Sequence, residues 1–217
     1  MSDPESARPL LLGITGNVAC GKSTVTGMLA ALGAEVIDAD LVYRDLVQPG
    51  MPLLGDIART FGEAMVLPDG GLNRRALAAI VFSDPAALAK LDDLIRPVVA
   101  PEVLRRAARS SAPVVAIDAV KLFESGLGDA CDETWVVACP REIQVERLMR
   151  RNGFPRDEAE RRIDAQAPPA DKIARANVVI DNGGPIASTE RQVREAFAAF
   201  QRRHRTGTEA AAAAPSS

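Results

Sequence analysis

A phosphate-binding pattern stands near the beginning of the chain. Residues 16–23 read GNVACGKS and fit the pattern G-x-x-x-x-G-K-[S/T]. In such a loop the glycines permit a tight turn, so that successive backbone N–H groups point at phosphate oxygens. The lysine, Lys22, reaches the terminal phosphates, and the hydroxyl of Ser23 is offered to Mg²⁺. The pattern predicts a nucleotide phosphate site and leaves the reaction open.

Three aspartates follow predicted strands and are candidates for the acidic part of the same site. Asp38 and Asp40 come after an apolar run at 34–37, and Asp118 comes after another at 113–117. Ligands of parallel sheets bind beyond the carboxyl ends of the strands. We therefore expect Asp118 to orient Mg²⁺ or its waters, with a solvated strand-end carboxylate as the alternative.

A general base in this chain is predicted to be a carboxylate, because the only histidine, His204, lies near the C-terminal end. Asp40 is the first candidate. The alternative is that Asp40 caps the helix predicted over 41–47, since aspartate is a favoured N-cap residue. Asp38 ranks second, either in the same site or bonded to backbone amides.

An arginine-rich segment at 141–152, REIQVERLMRRN, is predicted to be a helix with Arg147 and Arg151 on one face. Like charges four residues apart are mildly destabilising in a helix. Two arginines that converge on a polyphosphate offset this repulsion and stabilise charge on a transferring phosphoryl group. The alternative is a solvated basic face. The first interpretation predicts a helical lid over about 141–170.

The elements around these residues alternate between strand and helix, which is typical of a parallel α/β sheet with right-handed crossovers. A helix over 22–32 is predicted directly after the phosphate loop. The first predicted strand is a continuous apolar run, as in strands buried on both faces. The predicted strands are 10–15, 34–37, 113–117, 134–138 and 178–180.

One connection is much longer than the others. Residues 41–111 are mostly helical in pattern and are predicted to form a substrate-binding insert, or else extra helices that cover the sheet. Thr189, with Gln192 three residues later, predicts the start of the last helix through a capping box. We expect one domain over 10–203, with disordered tails at 1–9 and 204–217.

The composition excludes several classes of protein. The 217 residues carry a formal net charge of −3, which argues against a general nucleic-acid or membrane-surface binder. No run approaches the ~18 apolar residues of a membrane helix, and the polar start argues against export. Three cysteines without zinc or disulfide spacing favour a reducing cytoplasm. A monomer or a weak homo-oligomer is expected.

These motifs, taken in order, resemble the dephospho-coenzyme A kinase family, whose members are P-loop kinases. The resemblance covers roughly residues 11–200. The phosphate loop is shared by a large superfamily, whereas the ordered set of motifs is more specific. That set is GITGNVACGKST at 13–24, VIDAD at 36–40, DGGLNR at 69–74, LFE at 122–124, the Gln144 and Arg147 pair, IDAQ at 163–166 and VIDN at 179–182.

The resemblance implies a P-loop kinase fold with a helical acceptor insert and a lid, and ATP-dependent phosphorylation of the 3′-hydroxyl of dephospho-CoA. It implies Asp40 as the base, Ser23 and Asp118 at Mg²⁺, and Arg44 and Arg74 facing the acceptor. Asn182 lies where the family places adenine. The expected ATP-binding residues are Gly16, Asn17, Val18, Ala19, Cys20, Gly21, Lys22, Ser23, Thr24, Arg147, Arg151 and Asn182.

The chain departs from the family pattern at several positions. Arg96 stands where a histidine is usual, and Asn17 and Ala19 stand where glycines are frequent. Lys121 lies in a segment that usually has a proline and leucines, and we expect it to contact an acceptor phosphate. Cys20 is interpreted as a small filler, with a redox role as the alternative.

Two other functions stay open at this point. One is a P-loop kinase for a nucleoside or nucleotide, and the other is an NTPase switch whose hydrolysis drives a partner. The absence of a guanine-reading Asn-Lys-x-Asp element argues against the second.

Overall fold

The structure, a computed structural model, describes the backbone of residues 8–212 and the side chains of residues 8–204. Within these residues five strands form one sheet in the order β2-β3-β1-β4-β5. The pairs β1–β3, β1–β4 and β4–β5 are parallel, and the register places Leu12 beside Ala116. The predicted parallel α/β sheet is confirmed. The strands are β1 (Leu10–Thr15), β2 (Glu35–Asp38), β3 (Val114–Asp118), β4 (Glu133–Ala138) and β5 (Val178–Asp181).

Helices connect the strands and flank the sheet. A single 3-10 turn, Glu63–Met65, lies between the third and fourth helix. No helix in the described part of the chain is long and apolar enough to cross a membrane. The α-helices are α1 (Lys22–Ala31), α2 (Ala39–Leu46), α3 (Pro52–Phe61), α4 (Arg74–Ser83), α5 (Pro85–Ala108), α6 (Leu127–Ala130), α7 (Arg141–Asn152), α8 (Arg156–Asp164), α9 (Pro169–Arg175) and α10 (Ile186–Ala212).

The chain divides into two compact units, and the first contains residues 1–36 and 110–217. Its core lies between the central strands, α1 and α10. Leu12, Ile14, Trp135 and Phe200 are fully buried there. The central strands β1 and β4 are buried along most of their length, as expected of strands covered on both faces. This core fixes the carboxyl end of β1, where the phosphate loop begins.

The second unit, Ile37–Arg109, is helical and has its own apolar core. Its helices α2 to α5 fall in the stretch for which an insert was predicted. Proline begins α3 and α5, at Pro52 and Pro85, because it suits the first turn of a helix, where no intrahelical N–H bond is lost. The buried residues of this core are Val47, Leu53, Leu54, Ile57, Met65, Leu72, Leu77, Val81, Ala87 and Leu91.

The predicted start of the last helix is wrong. Helix α10 begins at Ile186, so Thr189 lies inside its first turns. The Thr189 hydroxyl donates to Oδ1 of Asn182 at 3.0 Å, and Gln192 bonds the backbone N–H and carbonyl of Asp181. Both side chains of the predicted capping box are used for contacts with the residues that end β5 and follow it.

The same helix continues through the predicted domain end at residue 203. His204, expected in a tail, is helical, and its ring contacts Phe200 with 4.9 Å between the ring centroids. Of the two predicted tails, residues 1–7 and 213–217 lie outside the described residues.

Glu133, the first residue of β4, attaches α10 to the sheet. Its buried carboxylate accepts bonds from Arg203 at 2.7 and 3.0 Å and from Trp135 at 3.4 Å, and lies 3.1 Å from Nε2 of His204. Burial raises the pKa of the Glu133 carboxyl, but the bonds from Arg203, His204 and Trp135 outweigh burial and lower that pKa. The ionised form is therefore stabilised by folding.

We expect Glu133→Ala to lower the free energy of unfolding by about 2 kcal/mol, because the donors lose a buried acceptor. For a chain of this length the melting temperature should fall by roughly 4–8 °C. The Glu133 contribution is present above the carboxyl's unfolded pKa and lost as the pH falls through the lower folded pKa.

Thermal melts at neutral and acidic pH measure the Glu133 effect. The matched control is Glu190→Ala on the same helix, which removes an exposed pair with Arg194 and should change the melting temperature little. Equal melting shifts for the two variants would contradict the role given to Glu133.

Candidate active site

The phosphate loop lies between the carboxyl end of β1 and the start of α1. A Cβ atom on Gly16 would lie 2.4 Å from the carbonyl oxygen of Val137, so only glycine fits there. Gly21 has φ 92° and is the left-handed residue that precedes α1. The N–H groups of Lys22 and Ser23, at the first two positions of α1, lie at the positive end of the helix dipole. The loop therefore has the shape and polarity of an anion cradle.

One end of the loop is held by Arg147 and Asn182. Arg147 donates from Nη1 to the Cys20 carbonyl at 3.1 Å and from Nη2 to the Asn182 carbonyl at 2.8 Å. Asn182 donates from Nδ2 to the same Cys20 carbonyl at 2.8 Å and is 3% exposed. A Cβ on Gly21 would lie 2.1 Å from Nδ2 of Asn182. Gly21 therefore also makes room for this clamp.

The other end of the loop is held by the segment between α8 and α9. Oε1 of Gln166 accepts the Val18 N–H at 2.7 Å, and Nδ2 of Asn17 donates to the Ala167 carbonyl at 3.0 Å. Val18 and Ala19 also pack against the apolar cluster of α7 and α8, which is formed by Val145, Leu148, Ala159 and Ile163. The helices predicted to form a lid are thus docked on the loop.

Lys22 and Ser23 begin α1 directly after the loop, and Asp118 ends β3 next to them. Nζ of Lys22 is 3.8 Å from Oδ1 of Asp118, and both side chains are largely shielded from solvent. Ser23 is exposed in the first turn of α1, and Thr24 is half-buried behind it. Within the described residues no group of three or more His, Cys, Asp or Glu side chains could hold a metal by itself. The residues present suit a Mg²⁺ that arrives with a nucleotide.

Asp38 and Asp40 are distinguished by the start of α2. Oδ1 of Asp38 accepts the N–H groups of Asp40 at 2.8 Å and of Leu41 at 3.2 Å, so Asp38 is the N-cap. The alternative assignment of Asp40 as the cap is wrong, because the helix begins one residue before it, at Ala39. The carboxylate of Asp40 is exposed in the first turn of α2.

The residues predicted to bind the acceptor are exposed cations. Arg44 lies near the end of α2 and Arg74 begins α4, with its guanidinium carbon 5.9 Å from the centre of the Tyr43 ring. Lys121 is exposed in the turn after β3. Arg151 is exposed and donates to the Asn152 side chain at 2.9 Å, and its contact with the phosphates stays a prediction.

Comparison with known proteins identifies the kind of site. Residues 10–188 match the family profile of dephospho-CoA kinases. The chain belongs to the dephospho-CoA kinase family. A dephospho-CoA kinase of Geobacter sulfurreducens is 44% identical over 191 residues, which cover 87% of this chain and 97% of that relative.

Solved structures share the fold of this chain. The crystal structure of TT1252 from Thermus thermophilus is similar with a TM-score of 0.77 and 34% identity, over 88% of this chain and 97% of that chain. The dephospho-CoA kinase of Campylobacter jejuni has a TM-score of 0.65 at 22% identity, with coverage of 88% and 97%, and shares the fold. The predicted P-loop kinase fold is confirmed.

Departures from the family pattern in the loop now have local explanations. Ala19 adopts φ 60°, a left-handed conformation in which glycine is favoured, which accounts for the frequent glycine of the family. Asn17 is buried and bonds the segment after α8. Cys20 is fully buried and its Sγ donates to the Asn17 carbonyl, and burial raises the pKa of the thiol to about 11. The filler interpretation of Cys20 fits these contacts.

Sequence reasoning missed one buried polar side chain near the loop. Lys172 on α9 is 8% exposed and donates to the Val120 carbonyl at 2.9 Å. The Asn182 amide donates to the Cys20 carbonyl and accepts from the Thr189 hydroxyl, and its place at adenine stays a prediction. A lysine in a polar helix has no local pattern that distinguishes a buried ammonium from an exposed one. The adjacent motif IDAQ was the nearest signal for Lys172.

Proposed function

We propose that the protein transfers the γ-phosphoryl group of ATP to the 3′-hydroxyl of the dephospho-CoA ribose, giving coenzyme A and ADP. The observation that carries this proposal is the phosphate loop with Lys22 beside Asp118, in a chain that belongs to the dephospho-CoA kinase family. A triphosphate donor suits the loop, and the family supports this acceptor.

The donor half of the site is assigned to the first unit. The loop amides and Lys22 would hold the β and γ phosphates, and Ser23 and Asp118 would hold Mg²⁺ or its waters. Bound Mg²⁺ would neutralise charge on these phosphates. Arg147 already lies against the loop, so its guanidinium is placed to add positive charge near the phosphates with little further ordering.

The acceptor half is assigned to Asp40, Arg44, Arg74 and Lys121. The Asp40 carboxylate takes the proton of the 3′-hydroxyl while that oxygen bonds to the γ phosphorus. The bond between the γ phosphorus and the β–γ bridging oxygen breaks in the same step, and ADP leaves with the electron pair. The three cations face the phosphates of the acceptor.

A coupled assay of ADP release tests the function. We expect rapid ADP release with ATP, Mg²⁺ and dephospho-CoA, and only slow release without an acceptor. A panel of nucleosides and nucleotides should give much lower kcat/KM values than dephospho-CoA. The product should carry its new phosphate on the 3′ oxygen, which phosphorus NMR can assign.

Two results would contradict the proposal in different ways. A nucleoside or nucleotide that outperforms dephospho-CoA would show another small-molecule kinase. Fast ATP hydrolysis that no acceptor accelerates would favour the switch class. A cytoplasmic location and a monomeric or weakly associating state stay predictions.

A further inference from the structure

Lys172 is a buried cation that the mechanism above does not use. It lies on α9, and its side chain passes into the first unit until its ammonium reaches the Val120 carbonyl at 2.9 Å. Only 8% of the residue is exposed. Lysine is rarely buried to this extent unless its charge is paired.

No such pair is present among the residues that the structure describes. The ammonium has three N–H donors, and the Val120 carbonyl is the one acceptor within bonding distance in this part of the chain. No carboxylate oxygen there lies within the 4.0 Å of an ion pair with Nζ. Burial lowers the pKa of Lys172, and the nearby positive charge of Lys22 lowers it further, against the opposing effect of Glu124.

The contact at Val120 places Lys172 beside the phosphate loop. The Val120 carbonyl also accepts the hydroxyl of Thr15 at 3.0 Å, and Thr15 is the last residue before the loop. Val120 follows Asp118 by two residues, and Asp118 lies 3.8 Å from Lys22. The second lysine is therefore on the side of the loop where the strand-end acid and the loop lysine meet.

Lys22 and the buried Lys172 are two cations beside the phosphate loop, and among the described residues no carboxylate forms an ion pair with Lys172. Leaving an ammonium buried with unused donors is costly, and an anionic ligand removes that cost. In a P-loop site the oxygens of the terminal phosphate lie near the loop lysine and the metal-orienting acid. They are the nearest ligand atoms that could complete the bonds of Lys172.

We propose that Lys172 is a donor-binding residue that contacts the terminal phosphate of the bound nucleoside triphosphate, opposite Lys22. This inference rests on the proposed function only in taking ATP as the donor. Lys172 contacts the terminal phosphate of a bound triphosphate, and this contact is lost when the diphosphate product forms. Lys172 therefore favours ATP over ADP and adds positive charge where the transferred group lies.

Equilibrium titrations of ATP and ADP without any acceptor test the inference. Two variants separate the effect of the positive charge from the effect of the hydrogen bond to the Val120 carbonyl. Lys172→Met removes both the charge and the bond. Lys172→Gln removes the charge but retains an N–H donor for the carbonyl. We expect both variants to bind ATP about tenfold more weakly, the loss typical of one charge-assisted hydrogen bond. ADP affinity should change by less than about threefold. The control Lys90→Met removes an exposed lysine of α5 and should bind both nucleotides like the wild type.

Each other outcome has a definite meaning. If Lys172→Gln binds ATP like the wild type while Lys172→Met does not, Lys172 only holds the Val120 carbonyl and the inference is wrong. Equal losses for ATP and ADP also overturn it. If Lys172→Met does not fold, the comparison of ATP with ADP in Lys172→Gln decides. A wild-type protein that binds no ATP contradicts the proposed function instead.

Discussion

Asp40→Asn should lower kcat with dephospho-CoA by about 10²–10⁴-fold and leave the affinity for ATP nearly unchanged. Asparagine has the shape of aspartate but cannot take a proton from the acceptor hydroxyl. The α2 cap is supplied by Asp38, so the substitution removes no cap bond from the helix. Steady-state kinetics with dephospho-CoA and a titration with ATP measure the two quantities separately.

Asp38→Asn is the matched control for the base assignment. Asparagine caps helices about as well as aspartate, so α2 should keep its start, and kcat should fall by less than about tenfold. Turnover of Asp40→Asn within tenfold of the wild type would exclude Asp40 as the base. A large loss in Asp38→Asn with little loss in Asp40→Asn would transfer the role to Asp38.

Arg147→Lys should lower kcat/KM for ATP by about 10²–10³-fold, although the positive charge is kept. The planar guanidinium reaches the Cys20 carbonyl with one nitrogen and the Asn182 carbonyl with the other. A lysine ammonium is a point charge on a flexible stem and cannot bridge both carbonyls. One end of the phosphate loop would then lose part of its support, and the developing charge would lose a pre-positioned cation.

Arg150→Lys is the control for this effect, since Arg150 is exposed on the same helix and should be replaceable without loss. Kinetics at several ATP concentrations, together with melting curves, separate lost catalysis from lost stability. If Arg147→Lys keeps the wild-type kcat/KM, the two guanidinium bonds to the Cys20 and Asn182 carbonyls are not needed for catalysis, and the role given to Arg147 is wrong.

The strands and the loop were predictable because their causes are local. A run such as LLLGIT in β1 is apolar on both faces and is followed by glycines that only a tight turn requires. The predicted and observed strands agree to within one residue at each end. The arginine helix agrees over its whole length, Arg141–Asn152, because Pro140 precedes it and Gly153 ends it in the left-handed conformation.

Other predictions failed where contacts outside the helix, or the helix start itself, decide the role of a residue. Thr189 and Gln192 have the spacing of a capping box, yet their polar atoms are used by Asn182 and Asp181. Asp38 and Asp40 are equally good caps by residue type, and only the observed helix start separates them. Lys172 is buried because α9 packs against the segment after β3. The spacing of residues within α9 does not predict this packing.

The phosphate loop is held at both ends by residues from the last third of the chain, so its ligand site cannot form until those residues have been synthesised. Asn17 and Val18 are bonded to residues 150 and 148 positions later, and Cys20 to residues 127 and 162 positions later. A nascent chain that has produced the loop still lacks every one of these partners. Closing loops of such length costs chain entropy before the contacts form, so we expect ATP to be a poor early template for folding. We expect nucleotide binding to be acquired only once α7 to α10 have packed.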